Sequence, residues 1–262
     1  TMPSIFSYQS AEVDWCEGNF EHSAVIAEYY NTVNATTSFS LLPLAPLHCP
    51  VLAGAGVGSD FRLSLLLAGL FSVYFHMTLS YVGQLLDELS ILWTLAVAYS
   101  FWLPKTYFPR CIKSRKHFFW FTGITTVVST LMSFVKPAVN AYALNCIAFH
   151  LLYLMWRELK KCNDKRVHRM AAVMVVWWVL AISSWISDRW LCGLWQAVSF
   201  PYLHSFWHVL IAIALLYCLP LVIYFDVRNE MSSFKPKLGY WPSDSWPVVV
   251  PYIALEEPLK QC

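Results

Sequence analysis

Three histidines, an acid and a hydroxyl draw attention because each lies in or beside a long apolar run. His204 and His208 stand four apart in "HSFWH". That spacing puts both imidazoles on one face of a helix and suits two nitrogen ligands on one zinc ion. His76 closes "FSVYFH", with Ser72 one helical turn before it on the same face. Asp87 follows in "QLLDEL". Three neutral imidazoles leave a tetrahedral ion one open position, the pattern of catalytic rather than structural sites. A water there has its pKa lowered to about 7. Asp87 has the chemistry to take the water's proton as a general base and pass it to a leaving group. Ser72 has the chemistry to donate a hydrogen bond to a developing oxyanion. Trp207, between the paired histidines, is placed to shape the site around a substrate's polar head. Zinc suits three imidazoles better than iron or copper does, although spacing alone does not fix the metal. Plainer uses exist for each group. A single histidine inside a membrane helix often makes a helix-to-helix hydrogen bond, which is the reading for His150, and an i, i+4 pair taken alone is compatible with that use too. Asp188 and Glu88 read as acids that cap, pair or face water at the membrane surface.

The elements that must position these groups are membrane helices. The chain has 262 residues, 58% of them hydrophobic and 13% charged, against about 25% charged in a soluble domain. A spanning helix needs about 20 mostly apolar residues, and 61–82, 84–103, 118–135, 138–156, 170–187 and 203–226 meet that requirement. These runs are far longer than the roughly 9–11 residues of a barrel strand. A seventh segment, 23–47, is weaker, holding Asn31, Asn34, Thr36, Thr37 and two prolines; it is counted because the N-terminal tail and the next span need a connection. The expectation is an all-α, seven-transmembrane-helix bundle. It comprises a tail over 1–22, a catalytic transmembrane domain over 23–226 and a second tail over 227–262.

Lysine and arginine orient the bundle. Loop 104–117 holds five of them and loop 157–169 holds six; Arg62, Arg228, Lys235, Lys237 and Lys260 join the same side, leaving only Lys136 and Arg189 opposite. The N-terminus is then lumenal and the C-terminus cytosolic. A six-helix count would move the N-terminus but not the two basic loops. Basic residues sorted by loop, at a net charge of +2, give no patch for nucleic acid. Residues 1–22 are polar and acidic, so no cleavable signal is expected and the first span acts as its own insertion signal. In this orientation His76 lies near the lumenal end of the second span, Asp87 near the start of the third and His204 and His208 at the start of the seventh. All four reach a similar depth, and intramembrane ionisable residues are functional by default. Of eight cysteines, only Cys16 and Cys192 fall on the lumenal side outside a span. That compartment permits disulfides, so a Cys16–Cys192 bond is expected, with two free thiols as the alternative.

The tail stretch "EVDWCEGNF" and Glu28 supply hard oxygen donors: Asp14, Glu17, Asn19 and Glu28, with a backbone carbonyl such as that of Trp15. Calcium takes six to eight such oxygens. No EF-hand loop is present, and the same acids equally fit a solvated tail or the favourable N-terminal end of a helix dipole.

Taken together, "DWCEGNF", "AEYYNT", "FHMTLS", "QLLDEL", "SWISDRWLC", "HSFWHVL" and "YWPSDSWPV" resemble the alkaline ceramidases, seven-helix zinc amidohydrolases in the superfamily of the adiponectin and progestin receptors. The resemblance covers nearly the whole chain. It implies cleavage of ceramide to sphingosine and a fatty acid in the endoplasmic reticulum or Golgi membrane, with no obligate protein partner. It implies zinc on His76, His204 and His208, Asp87 as the water-activating acid and Ser72 on the oxyanion side. It also implies calcium on Asp14, the Trp15 carbonyl, Glu17, Asn19 and Glu28, and the Cys16–Cys192 disulfide. Residues 34–67 depart from the pattern, being too rich in small and polar residues for the family's first helix, and their Asn34-Ala-Thr sequon lies too near the membrane for easy glycosylation. The rival reading is a seven-helix lipid or hormone receptor with a structural zinc. A transporter relay would need polar residues through the full membrane depth, a zinc protease would need HExxH, and a G-protein-coupled receptor would carry D/E-R-Y where "WLPKTY" stands.

Overall fold

A computed structural model of the chain describes residues 4–41, 57–136, 138–231, 233–244 and 250–256. Among these, eight α-helices dominate: α1 Tyr29–Leu41, α2 Val57–Thr78, α3 Tyr81–Trp102, α4 Arg115–Val135, α5 Ala138–Lys160, α6 Lys165–Trp190, the short α7 Cys192–Ala197 and α8 Leu203–Glu230. Helices α3, α4, α6 and α8 are long and apolar enough to cross a membrane, and Leu63–Thr78 is a shorter apolar stretch. Outward residues of α4 such as Trp120, Ile124, Val127 and Leu131 are exposed, as on a helix whose solvent is lipid. The expected first span, 23–47, becomes an irregular, bent segment over 23–28 followed by α1; its remainder lies outside the described residues. The third span starts at Tyr81 rather than 84, which places Asp87 in its second turn.

One feature departs from the all-α expectation. The stretch expected as a plain C-terminal tail carries an antiparallel hairpin, β1 Lys235–Trp241 with β2 Val250–Glu256, in a register that sets Leu238 opposite Ile253. Those two side chains are buried, while alternate positions of β1 are exposed. Pro236 and Pro251 argue against central strands, but a two-stranded sheet has only edges, where proline is tolerated.

Two compact units divide the chain, and four long helices contribute residues to both. The second unit holds loop 104–114 and the hairpin. Here Leu103, Phe118 and Leu154 form a buried cluster, the Arg115 guanidinium donates to the Leu103 carbonyl at 2.7 Å, and buried Glu158 accepts hydrogen bonds from Tyr107, Lys161 and Asn229. His150 meets the Tyr99 hydroxyl at 2.8 Å, the helix-to-helix bond expected of it.

The first unit contains the N-terminal segment, Leu63–Ile91 and Met174–Leu215. Its tail closes the end of α2. A helix leaves its last carbonyls without intrahelical donors. Here those of His76, Met77, Thr78 and Leu79 are taken by the N–H groups of Glu28, Ala27, Gln9 and Ala11, all between 2.9 and 3.0 Å. Leu79 sits just beyond α2 with φ 47°, a left-handed conformation that costs a non-glycine residue about 1–2 kcal/mol. Its side chain is nonetheless buried with Ala27 and Phe75 beneath tail residues Val13, Trp15 and Phe20. Burial of one such side chain is worth about 1.5–3 kcal/mol, enough to offset the backbone cost.

Candidate metal centre and active site

That cap fixes the last turn of α2, where His76 stands, while His204 and His208 occupy the first two turns of α8. All three are buried, with 3% exposure or less, and each offers a ligand atom within 4.8 Å of the others'. His76 Nδ1 meets Glu28 Oε2 at 2.5 Å, which turns its Nε2 inward to lie 3.1 Å from His208 Nε2. Nδ1 of His204 and of His208 has no hydrogen-bond partner among the described residues. Imidazole nitrogens buried within 4.8 Å of one another are costly to desolvate, and a shared cation relieves that cost. A set of three imidazoles without thiolate or carboxylate suits zinc. A carboxylate on the far nitrogen of a ligating histidine is the usual device for fixing ring orientation and raising basicity.

Glu28 is fully buried and does more than touch His76. Its Oε1 accepts the Trp15 N–H at 3.1 Å and its Oε2 the Asn31 side-chain amide at 2.9 Å. Asn31, expected only as a polar flaw in a span, is thus what orients this carboxylate; the signal lay in its i, i+3 spacing from Glu28. Asp14 interacts directly with the Glu28 carboxyl, and the Asn19 amide donates to Asp14 at 3.1 Å, leaving its buried Oδ1 without a partner. Two adjacent carboxylates and an orphaned amide oxygen fit a hard cation. Glu17 has a second task beside this group: its oxygens accept the Tyr30 and Asn31 N–H groups at 2.6 and 2.9 Å, capping α1. Burial raises its carboxyl above the ordinary range, against those two bonds.

Asp87 lies outside the histidine cluster and keeps partial exposure. Ser72 is buried, with its hydroxyl close enough to interact with the Asp87 carboxyl though not in hydrogen-bond geometry. Trp207 stacks on His204 (centroids 5.1 Å apart, 17° between planes) and meets His208 edge-on. Trp15 contributes its ring as well as its backbone, stacking on His204 at 3.6 Å and 13°. Cys16 and Cys192 form a disulfide. Asn34 donates to Ser205 at 2.6 Å, so the sequon's amide is engaged within the fold. Asp188 proves to be a clamp: its oxygens accept the Cys16 and His204 N–H groups, each at 3.0 Å. The signal for it was an acid in the last turn of α6, the end where a helix dipole disfavours negative charge.

Comparison with known proteins shows which family the chain resembles. The family described as Ceramidase matches residues 7–254. Alkaline ceramidase 1 of Mus musculus is 49% identical over 264 residues, covering 100% of this chain and 97% of its own length. Alkaline ceramidase 1 of Homo sapiens is 48% identical, covering 100% of both. Alkaline ceramidase of Drosophila melanogaster is 39% identical over 96% of this chain and 90% of its own.

Proposed function

Because this chain belongs to the ceramidase family, we propose that it is a zinc-dependent amidohydrolase that works within the membrane and cleaves the amide of ceramide to sphingosine and a free fatty acid. The observation that carries the metal-dependent part is the convergence of three buried imidazoles from two helices. His76, His204 and His208 would hold the zinc ion, which would supply Lewis-acid chemistry and lower the pKa of a water. Glu28 holds His76 by Nδ1, so that Nε2 faces the centre. Asp87 accepts the proton of the attacking water and returns it to the sphingoid nitrogen as the C–N bond breaks. Ser72, beside it, donates a hydrogen bond to the carbonyl oxygen as negative charge develops there. Trp207, partly exposed against two of the histidines, forms a wall for the polar head of the lipid.

In this reading seven helices span the bilayer, with the N-terminus lumenal, the C-terminus cytosolic and the site in the lumenal leaflet of the endoplasmic reticulum or Golgi. Ceramide enters sideways from the lipid. Calcium on Asp14, Asn19, Glu28, the Trp15 carbonyl and Glu17 braces the tail over the site, supported by the paired carboxylates and the orphaned Asn19 oxygen. Metal content and ceramide turnover of the purified protein test the reading against His76→Ala and His208→Ala. Both variants are expected to lose zinc and turnover together; loss of turnover at full zinc occupancy breaks the ligand assignment.

A further inference from the structure

The metal reading leaves Asp188 without a task, although it is 1% exposed. Its Oδ1 accepts the His204 N–H and its Oδ2 the Cys16 N–H, both at 3.0 Å. Among the described residues no lysine or arginine pairs with it, and the adjacent Arg189 donates instead to the Asp14 carbonyl at 3.1 Å. The counter-charge for this buried anion is the start of α8, a 28-residue helix whose N-terminal dipole and unused N–H groups favour a carboxylate.

We infer that Asp188 is a positioning residue that sets His204 in place from two sides at once. Through Oδ1 it pins the backbone of His204, the second residue of α8, and so fixes the rotation and axial position of the helix that also bears His208. Through Oδ2 it pins Cys16, whose neighbour Trp15 stacks on the His204 ring at 3.6 Å. The Cys16–Cys192 disulfide joins the same segments covalently, but a bond through sulfur does not direct an N–H group. Aspartate suits the position because both of its oxygens accept and both partners donate. In asparagine of the same shape, one atom becomes a donor facing a donor.

This inference rests on the zinc reading, and the experiment separates the two. Purified full-length protein in detergent micelles is loaded with cobalt(II), whose visible absorption reports the geometry of its ligands. Three quantities are measured for wild type, Asp188→Asn and a Cys16→Ser/Cys192→Ser double variant: cobalt affinity by chelator competition, the cobalt spectrum and the metal-free melting temperature. Asp188→Asn is expected to bind cobalt about 10- to 100-fold more weakly, the range for outer-shell partners of metal ligands, and to shift the cobalt bands. The double variant, with its carboxylate clamp intact, is expected to keep the wild-type bands. Wild-type affinity and spectrum in Asp188→Asn overturn the inference, as does a lowered metal-free melting temperature with an unchanged spectrum, which marks a mere strut. Should Asp188→Asn not fold, Asp188→Glu is read in its place. It keeps both acceptors but displaces them by one methylene, so shifted bands support the inference and unshifted bands overturn it. A wild-type protein that binds neither cobalt nor zinc overturns the metal reading itself and this inference with it.

Discussion

Glu28→Gln exchanges one oxygen of a fully buried carboxylate for an amide nitrogen where three donors converge: the Trp15 N–H on Oε1, and the Asn31 amide and His76 Nδ1 on Oε2. With its oxygen turned towards Asn31 and His76, glutamine serves two donors and presents its NH2 to the third; turned the other way, it serves one. The first orientation is therefore preferred. One buried backbone donor left unserved costs about 1–3 kcal/mol. The two remaining bonds lose charge assistance, roughly 1 kcal/mol each. The sum, about 3–5 kcal/mol, is a large part of a typical total of about 5–15 kcal/mol, so the variant folds but melts well below wild type. His76 also loses the partner that raises its basicity, which weakens zinc binding about 10- to 100-fold, or about 1.4–2.7 kcal/mol. Chelator competition in micelles measures the second effect and metal-free thermal unfolding the first. A variant with wild-type zinc affinity refutes the claim that Glu28 acts through His76, whatever its stability.

Asp87→Asn is expected to keep its zinc and melting temperature while turnover falls about 10²- to 10⁴-fold; a turnover within a few-fold of wild type moves the proton transfer to another group. A calcium-selective chelator is expected to lower the melting temperature, with calcium restoring it in wild type but not in Asp14→Ala/Asn19→Ala. Burial raises the Glu17 carboxyl, so the folded state holds that proton more tightly than the unfolded one. Without calcium, stability should therefore fall as pH rises from the ordinary carboxylate range through the raised folded value, and saturating calcium should flatten that slope; thermal melts across pH with and without calcium check the sign. Gly83→Ala sets a Cβ 2.8 Å from Ser80 Oγ and 3.0 Å from the Phe75 Cα, next to His76. Overpacking of this kind costs about 1–3 kcal/mol, so it should lower both melting temperature and zinc affinity, and an unchanged pair of values contradicts the close approach of α2 and α3.

The clustering of His76, His204 and His208 is the most legible part of the chain. An i, i+4 pair declares its shared face wherever a helix forms, and a third histidine at matching depth on another apolar run follows from span counting. The links around that cluster were not legible, because they depend on how the tail folds back. Glu28 reaches a histidine 48 residues away and Asp188 an amide 172 residues away, and no local pattern carries such distances. Trp15 was read for its carbonyl because calcium chemistry asks for oxygens; that its ring lies on His204 is a matter of packing. For Glu17 the sequence offers a metal ligand, a solvated acid or a charge at the N-terminal end of a helix, and its oxygens do cap α1. The hairpin is hard to see in the sequence because Pro236 and Pro251 read as breaks and its alternation is short.

The Cys16–Cys192 bond spans 176 residues, and that separation sets an order of manufacture. At roughly 5–20 residues per second, the ribosome delivers Cys192 about 10–35 s after Cys16. The first cysteine waits as a free thiol while most of the bundle is still being made. Two of the three clustered histidines come later still, so a chain that stops short of His204 lacks most of that cluster.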